Sequence, residues 1–406
     1  MEKQKSHEKG KEIVLWLSSE RGSKRRRRES DIEIPNDDVF EEILVRLPVE
    51  SLLRFQIVSK HWRHTIKSRS FMERHLLHQK TQEPKFLCLN EDKRWYKPNI
   101  SLKTMKLEWC STCLIEEGPT HRIETDMGKN NVSILGSCDG LVCMFDADNL
   151  ATPIIVINPA MGRSQILPLS RFQQQNLVRW RKVRPNMLSY PGFGKDNVTG
   201  TYKLVWLHNK RNKWSKTSVW EIFDFEVKEW RYVIYTPYEL LPNKEPVFAK
   251  GWLYWLTHDQ RILAYNLHTE MFRVITNTII SKASCPQAIS MVSLSDRLWI
   301  TDMERGNGIQ HFWRVKNALE LKWESEKMFS LEFNLISSLF PDEGSWSPIT
   351  LMVTSKDNKK VLISELYSSK FIQMLPHPTS LVFHSVIYGP YDSELIPYFQ
   401  SLDFPL

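Results

Sequence analysis

Residues 34–62 read IPNDDVFEEILVRLPVESLLRFQIVSKHW, and this stretch decides how the rest of the chain is organised. Ile43 and Leu47 are four residues apart, so a first short helix has one apolar face. Pro48 disfavours helix at the residue before it and starts a second helix, and Ser59 can cap a third. Three short helices cannot bury this much apolar surface alone, because small domains are marginally stable. The uncovered surface therefore docks either on the remainder of the chain or on a partner protein.

The same stretch resembles the F-box, the module that binds the Skp-type adaptor of cullin–RING ubiquitin ligases. The family pattern is an Ile-Pro or Leu-Pro start, an acidic turn, Ile-Leu, Leu-Pro, Leu-Leu and Lys/Arg-x-Trp. This chain has every part in that order within residues 34–62. The resemblance implies a three-helix F-box over residues 33–78. It also implies that eight residues contact the adaptor, namely Pro35, Ile43, Leu44, Leu47, Pro48, Leu52, Leu53 and Trp62.

Positive charge is concentrated at the N-terminus. The formal net charge is +8, and residues 1–30 hold ten Lys and Arg against five Glu, which gives +5 there and +3 for the remaining 376 residues. The near-balanced remainder argues against a dedicated nucleic-acid domain. Residues 1–32 are polar and lack sustained periodicity, which predicts a disordered basic tail. A basic run suited to nuclear import, or else simply solvated, consists of Lys24, Arg25, Arg26, Arg27 and Arg28.

Residues 85–390 predict a large all-β domain, because short apolar runs alternate with turn signals and the helical period disappears. The Asp139-Gly140 turn can close a hairpin, and Asn158-Pro159 must end a strand. Pairs of apolar runs recur about every 50 residues, which is the spacing of propeller blades, and six such units are visible. An irregular β-sandwich or barrel is the alternative. The predicted fold class is an α+β multi-domain chain with an N-terminal three-helix F-box and a large all-β, β-propeller-like domain.

The resemblance continues through this β region. GSCDGLV at residues 136–142 and the following Asn158-Pro159 look like the opening of the plant F-box-associated domain, and GWLYWL at residues 251–256 matches a later part. Ile157 stands where the family often has Trp, and Asn266 where it often has Asp. We interpret both departures as variants of packing and turn chemistry. The resemblance covers roughly residues 34–390 and implies that the β-domain binds a protein substrate.

The sequence offers little that could carry catalysis. It has no GxSxG, HExxH, P-loop or Rossmann glycine motif. Six Cys are sparse, and the single CxxC from Cys110 to Cys113 has no second pair at zinc spacing, which favours reduced, mostly buried thiols. His61 and His64 are three apart on a predicted helix, where two solvated imidazoles are a better interpretation than a metal site. We therefore expect a non-catalytic protein with no cofactor and no metal.

The resemblance implies the substrate-recognition subunit of a Skp–cullin–F-box (SCF) ubiquitin ligase. Its expected partners are a Skp-type adaptor, a cullin scaffold reached through that adaptor, and an unknown protein substrate. No apolar run approaches the ~18 residues that span a membrane, so we expect an intracellular protein of the nucleus, the cytoplasm or both. Two alternatives stay open: a nucleic-acid binder, suggested by the basic tail, and a glycan-binding propeller, suggested by 15 Trp.

Two basic loops are the predicted substrate-binding segments. Loops on a rigid β scaffold are the usual place for binding residues, because strands are committed to packing. Residues 172–185 and 208–215 each combine positive charge with an aromatic ring, a composition that suits an acidic or phosphorylated partner. The alternative is that both are merely solvated connections. The predicted contacts are Arg179, Trp180, Arg181, Lys182, Lys210, Arg211, Lys213 and Trp214.

Overall fold

A computed structural model gives the fold. It describes residues 37–92, 99–108, 113–117, 120–124, 132–146, 149–150, 152–179, 190–209, 218–242, 244–276, 288–294, 296–304, 309–315, 325–332, 349–354, 361–365, 370–376, 381–388 and 393–404. The chain divides into two units, residues 1–44 and 45–406. In the described part of the chain, no helix has both the length and the apolar character needed to cross a membrane.

In the described residues four helices precede the sheets: α1 (Asp37–Val45), α2 (Val49–Phe55), α3 (Lys60–Lys67) and α4 (Arg69–Lys80). Pro48 is the N-cap of α2, and Ser59 Oγ accepts a hydrogen bond from Trp62 N at 3.1 Å, as the sequence predicts. Ser68 caps α4 by accepting from Phe71 N at 3.2 Å. The fourth helix extends to Lys80, where the sequence predicts a linker from residue 78.

Six antiparallel sheets follow in the described residues. Their first 24 strands are β1 (Lys85–Asp92), β2 (Asn99–Glu108), β3 (Cys113–Glu116), β4 (His121–Glu124), β5 (Val132–Cys138), β6 (Leu141–Asp146), β7 (Ile155–Asn158), β8 (Arg163–Ile166), β9 (Gly192–Lys195), β10 (Tyr202–Asn209), β11 (Ser218–Asp224), β12 (Glu229–Thr236), β13 (Val247–Ala249), β14 (Trp252–Leu256), β15 (Ile262–Asn266), β16 (Phe272–Ile275), β17 (Ile289–Leu294), β18 (Arg297–Glu304), β19 (Ile309–Val315), β20 (Ser325–Glu332), β21 (Ile349–Thr354), β22 (Val361–Glu365), β23 (Lys370–Pro376) and β24 (Leu381–Tyr388). Strands β5–β24 form five successive four-stranded sheets.

The last strand, β25 (Ser393–Tyr398), pairs with β1 and so completes the first sheet from the other end of the chain. This strand lies beyond residue 390, where the sequence predicts that the domain ends. In neighbouring sheets the first strands β5, β9, β13, β17 and β21 contact one another in that order, and β25 contacts β5. Strand β24 contacts β3, so the sixth sheet lies beside the first. This is the β-propeller arrangement that the sequence predicts.

The predicted hairpins are confirmed. Asp139-Gly140 joins β5 to β6, with Cys138 opposite Leu141. The pairs β10–β11, β14–β15, β18–β19 and β21–β22 fall on the apolar runs that alternate in the sequence. A helix within the β region was not predicted: α5 (Arg171–Arg179) lies between β8 and β9 and overlaps residues 172–185, which the sequence indicates are a loop.

Tight turns from four sheets lie together at one edge. Lys195 Nζ is 3.3 Å from Asp139 Oδ2, which joins the end of β9 to the β5–β6 turn. His268 Nδ1 is 3.1 Å from Asp196 Oδ2, and the Lys250 amide donates to Asp296 Oδ1 at 2.8 Å. We call this edge the turn face, defined by residues 139–140, 196–201, 250–251, 267–270 and 296. Because paired strands are antiparallel, β6, β10, β14 and β18 end at the opposite edge, which we call the loop face.

Aromatic side chains fill the spaces between adjacent sheets. Phe145 of β6 and Trp206 of β10 are buried with ring centroids 5.3 Å apart, in an edge-to-face arrangement. Trp220 of β11 and Tyr265 of β15 make a similar contact at 5.1 Å between the next two sheets. Large rings bury the most area per side chain, so these contacts explain why the chain uses so many Trp and Phe.

Candidate functional site

The turn before α2 is held by a buried histidine of α4. The side chain of His75 is 0% exposed, and its Nε2 lies 2.9 Å from the Leu47 carbonyl oxygen. That oxygen can only accept, so Nε2 carries the hydrogen and donates it. Burial lowers the pKa of His75, the Leu47 carbonyl opposes this effect, and nearby His78 adds to it. A neutral imidazole therefore fixes the backbone of Leu47 and, with it, the orientation of Pro48.

The predicted adaptor-binding residues from Leu47 to Trp62 differ in how far their side chains are exposed to solvent. Pro48 is exposed, while Leu47, Leu53 and Trp62 are half-buried. The Trp62 ring packs edge-to-face on Phe55 at 5.2 Å. Leu52 is 0% exposed, so in this conformation it supports α2 from within rather than facing a partner.

The turn between α2 and α3 carries two apolar side chains that sequence reasoning did not select. Ile57 is 84% exposed and Val58 is 62% exposed. Large apolar side chains scattered singly over a surface are normal, but two consecutive ones form a small apolar patch. Their neighbour Ser59 is fixed as the α3 cap, so the patch has a defined backbone. It is a candidate contact surface for another protein.

Helix α1 belongs almost entirely to the first unit. Val39 and Ile43, four residues apart, are both about half exposed at 51% and 52%, whereas Leu44 is 1% exposed. The helix thus presents an apolar stripe of its own to solvent, of the kind that suits contact with another protein. Pro35 and the run from Lys24 to Arg28 lie outside the described residues.

The loop face is built around the first turn of α5. Glu221 of β11 is 2% exposed, and its carboxylate accepts hydrogen bonds from the amides of Arg171 at 2.7 Å and Phe172 at 2.8 Å. These two amides are among the donors that a helix N-terminus leaves unpaired. Burial raises the pKa of Glu221, and the two amides oppose that rise. Glu221 therefore anchors a helix to the sheet through a buried acceptor.

Two further side-chain hydrogen bonds stabilise the N-terminus of α5. Ser170 Oγ accepts from Gln173 N at 3.2 Å, while Gln173 Oε1 accepts from Ser170 N at 3.0 Å. This reciprocal pair is a capping box. The Gln173 amide also donates to the Thr152 carbonyl at 2.7 Å, which ties the helix to the preceding sheet. Ser170-x-x-Gln173 is the sequence signal from which α5 could have been predicted.

A histidine lies under this helix. The His208 ring stacks on Phe172 with centroids 4.0 Å apart, and Phe172 in turn meets Trp206 edge-to-face at 5.2 Å. His208 Nδ1 is buried, with no hydrogen-bond partner among the described residues. Burial lowers the pKa of His208 to about 4. The imidazole is therefore neutral at pH 7, and it serves as a packing ring at the loop face.

The predicted substrate-binding residues can be placed only in part. Arg179 is the last residue of α5, and β10 ends at Asn209 on the loop face. At the start of α5 the Arg171 guanidinium lies 4.8 Å from the centre of the Tyr232 ring, which is 48% exposed. The remaining predicted contacts lie outside the described residues, namely Trp180, Arg181, Lys182, Lys210, Arg211, Lys213 and Trp214. Their role stays a prediction.

No group of three or more His, Cys, Asp or Glu in the described part of the chain has the geometry of a metal site. Cys88, Cys138 and Cys143 are free and buried, and burial raises the pKa of both Cys138 and Cys143. A thiol with a raised pKa is a poor nucleophile at pH 7. These three cysteines therefore act as small apolar side chains of the core.

Two family models match the chain on either side of residue 80. Residues 36–74 match the F-box domain, and residues 87–390 match the F-box associated beta propeller domain. The F-box protein At2g34280 of Arabidopsis thaliana is 31% identical over 404 residues, covering 90% of this chain and 97% of that protein. The F-box protein At5g10340 of the same plant is 32% identical over 325 residues, covering 76% and 71%. The chain therefore belongs to the plant F-box proteins that carry an F-box associated β-propeller domain.

Proposed function

We propose that this protein is the substrate-recognition subunit of an SCF ubiquitin ligase. Its helical N-terminal part binds a Skp-type adaptor and, through it, a cullin, and its propeller binds the protein to be ubiquitinated. The observation that carries the proposal is the F-box match over residues 36–74, together with the exposed apolar patch of Ile57 and Val58. Exposed apolar side chains on a defined backbone are what a protein partner would cover.

The mechanism needs no catalytic residue in this chain. An adaptor that holds a substrate near a charged ubiquitin-conjugating enzyme turns a bimolecular encounter into an effectively intramolecular one. The chain's task is then to bind at two places and to keep them apart at a set distance. The interior fits that task, because large rings pack between neighbouring sheets and the last strand closes the first sheet.

The adaptor contact is tested by changing Leu47 and Pro48 together to Ala. Buried interface anchors often cost more than about 2 kcal/mol when truncated, so we expect adaptor affinity to fall about 30-fold or more. The matched control is Leu77→Ala, since Leu77 is an exposed leucine of α4 that no part of the F-box pattern includes. Equal adaptor affinity for the double variant and the wild type, with the propeller folded, would remove this turn from the interface.

We propose that the substrate binds the loop face, with an acidic or phosphorylated segment against the basic loops. The proposed contacts are Arg179, Trp180, Arg181, Lys182, Lys210, Arg211, Lys213 and Trp214. In support, helix α5 leads into the first of these loops from a start fixed by Glu221 and Gln173, so the loop leaves a rigid scaffold. Arg is well suited to phosphate because it can donate two parallel hydrogen bonds.

The substrate surface is tested by reversing charge at Arg179, Arg181 and Lys182 together, with conjugation blocked so that substrates accumulate on the receptor. The expected result is a changed set of co-purified proteins and unchanged capture of the adaptor. A matched control reverses the charge of Lys228, an exposed lysine in the β11–β12 turn on the other face. An unchanged substrate set in the triple variant would show that this loop does not recognise substrate.

A further inference from the structure

Helix α4 is attached to the turn face at its C-terminal end by an ionic cluster. Lys80 Nζ lies 2.6 Å from Asp139 Oδ1, and the other oxygen of that carboxylate lies 3.3 Å from Lys195 Nζ. Lys195 Nζ also lies 3.0 Å from Asp403 Oδ2. The Asp139 and Lys195 side chains are only 15% and 14% exposed, so water screens this cluster weakly. Three separate parts of the propeller thus meet the end of one helix.

The acceptors in this cluster have fixed positions. Tyr202 OH donates to Asp403 Oδ2 at 2.9 Å, and Asn158 Nδ2 donates to the Asp403 carbonyl at 2.7 Å. Asp139 has φ +51° in the β5–β6 turn, and a Cβ on the following Gly140 would come within 2.6 Å of the Phe399 carbonyl. Glycine is therefore required there, and the turn packs tightly on the C-terminal segment. Asp139 is aimed at Lys80 by this packing.

A second attachment holds the opposite end of α4. The Arg69 guanidinium donates through Nη2 to the Thr199 carbonyl of the β9–β10 turn at 2.8 Å. Arg69 and Lys80 are the first and last residues of the helix, about 16 Å apart along its axis. Two contacts at the ends of a rigid rod fix its direction as well as its position, which one contact could not do.

We propose that Asp139, Lys80 and Lys195 are positioning residues that lock α4 onto the turn face, so that the adaptor-binding helices α2 and α3 and the loop face keep a fixed relative orientation. The consequence for ubiquitin transfer rests on the proposed function, whereas the lock itself does not. Burial lowers the pKa of Lys195, but the carboxylates of Asp403 and Asp139 outweigh it and the pKa is raised overall, so Lys195 stays charged at pH 7. A fixed orientation matters because the gain from tethering is lost when the geometry forbids simultaneous engagement.

The sharpest variant is Asp139→Asn, because Asn also tolerates φ above zero and the change removes the charge while keeping the turn. The matched control is Asp296→Asn, at a position with φ +55° in the corresponding turn of another sheet, where the partner is the Lys250 amide. Lys80→Ala removes the helix side of the pair, and Lys80→Arg restores a cation. Lys80 is 40% exposed, so its replacement leaves the core intact.

The measurement is the distance distribution between two spin labels in the full chain, introduced through unnatural amino acids at Leu77 on α4 and Val227 on the β11–β12 turn, both exposed. We expect a narrow distribution for the wild type, Lys80→Arg and Asp296→Asn, and a broader or shifted one for Asp139→Asn and Lys80→Ala. Amides of α4 should exchange about fivefold faster in the latter two. An Asp139→Asn distribution equal to wild type, or Lys80→Arg as broad as Lys80→Ala, would overturn the lock.

Measuring the adaptor affinity of the same variants distinguishes a failure of the lock from a failure of the proposed function. Loss of the lock removes no contact of the Leu47–Pro48 turn or of the His75 ring, so Asp139→Asn should bind the adaptor as wild type does. A wild-type chain that binds no adaptor would defeat the proposed function while leaving the spin-label result as the test of the lock. Reduced ubiquitin transfer with unchanged adaptor affinity in Asp139→Asn is the result that supports both.

Discussion

Because His208 is buried and neutral, the propeller should become less stable as the pH falls. Its ring stacks on Phe172 under helix α5, and its Nδ1 is buried with no partner in the described part of the chain. Replacing it with Phe keeps a stacked ring and removes the proton-binding group. We therefore expect His208→Phe to be at least as stable as wild type at pH 7, because an unsatisfied buried nitrogen is lost.

The magnitude follows from the lowered pKa. In the folded protein the pKa of His208 is about 4, against 6.5 in the unfolded chain. The unfolded state therefore binds more protons between these values, and stability falls as pH falls through that window. The full difference is about 3 kcal/mol, since a tenfold change in a protonation constant is worth about 1.4 kcal/mol. At pH 5 the wild type should already have lost about 2 kcal/mol from this one residue.

The assay is urea unfolding of the full chain at pH 7 and pH 5, for wild type, His208→Phe and a control, His258→Gln, at an exposed histidine. The control should lose stability on acidification as wild type does. The His208→Phe protein should lose about 2 kcal/mol less. The reasoning is refuted if His208→Phe and wild type lose the same free energy of unfolding between the two pH values.

Three further predictions follow from single contacts. Glu221→Ala leaves two helix-start amides unpaired and should lower the free energy of unfolding by about 2–4 kcal/mol. The α5 amides should exchange faster, and Glu221→Gln should have a smaller effect. Equal unfolding midpoints for Glu221→Ala and wild type would contradict the anchoring role of Glu221. Gly200 has φ +75°, and a Cβ there would lie against Arg69 Nη2. Gly200→Ala should therefore lower the free energy of unfolding by about 1–2 kcal/mol and loosen α4. Gly251→Ala, at φ +78°, should also destabilise the fold but leave α4 in place. Deleting residues 1–30 should leave the thermal midpoint unchanged and lower the nuclear fraction, and an unchanged fraction would disprove a targeting role for the Lys24–Arg28 run.

Local signals in the sequence predicted much of this fold. Asp139-Gly140 closes a hairpin because both residues adopt φ above zero, and Asn158-Pro159 ends β7 because proline cannot donate to a ladder. Alternation of apolar runs placed the strand pairs, because each strand buries side chains between sheets. Ser59 caps α3 because its hydroxyl reaches an amide three residues on. All of these effects act over a few residues.

The features that sequence reasoning missed depend on distant contacts. Strand β25 completes the first sheet by pairing with β1, some 300 residues earlier, which no local pattern announces. The sequence predicts a basic loop where helix α5 lies, because Glu221, which stabilises the first turn of that helix, is about 50 residues away. The capping box of α5 is a usable local signal. His75 and Asp139 were missed as positioning residues for the same reason, since their partners Leu47 and Lys80 come from other elements.

The candidate site also has one part that the sequence predicts locally and one part that depends on the fold. The adaptor-binding residues came from a resemblance in a contiguous stretch, and the structure adds that Leu52 is buried there while Ile57 and Val58 are exposed. The loop-face residues were chosen by composition, and of these only Arg179 belongs to a described element. Direction along antiparallel strands, which composition does not carry, is what places the end of β10 at the edge opposite the α4 attachment.

The central claim is that the helices before the propeller bind a Skp-type adaptor. It is tested most directly by titrating a purified Skp-type adaptor into the purified full chain by calorimetry, with the Leu47→Ala/Pro48→Ala and Leu77→Ala variants beside wild type. We predict saturable binding of one adaptor per chain, unchanged in Leu77→Ala and weakened about 30-fold or more in the double variant. Absence of binding by the folded wild-type chain, or equal affinity in all three proteins, would contradict the account.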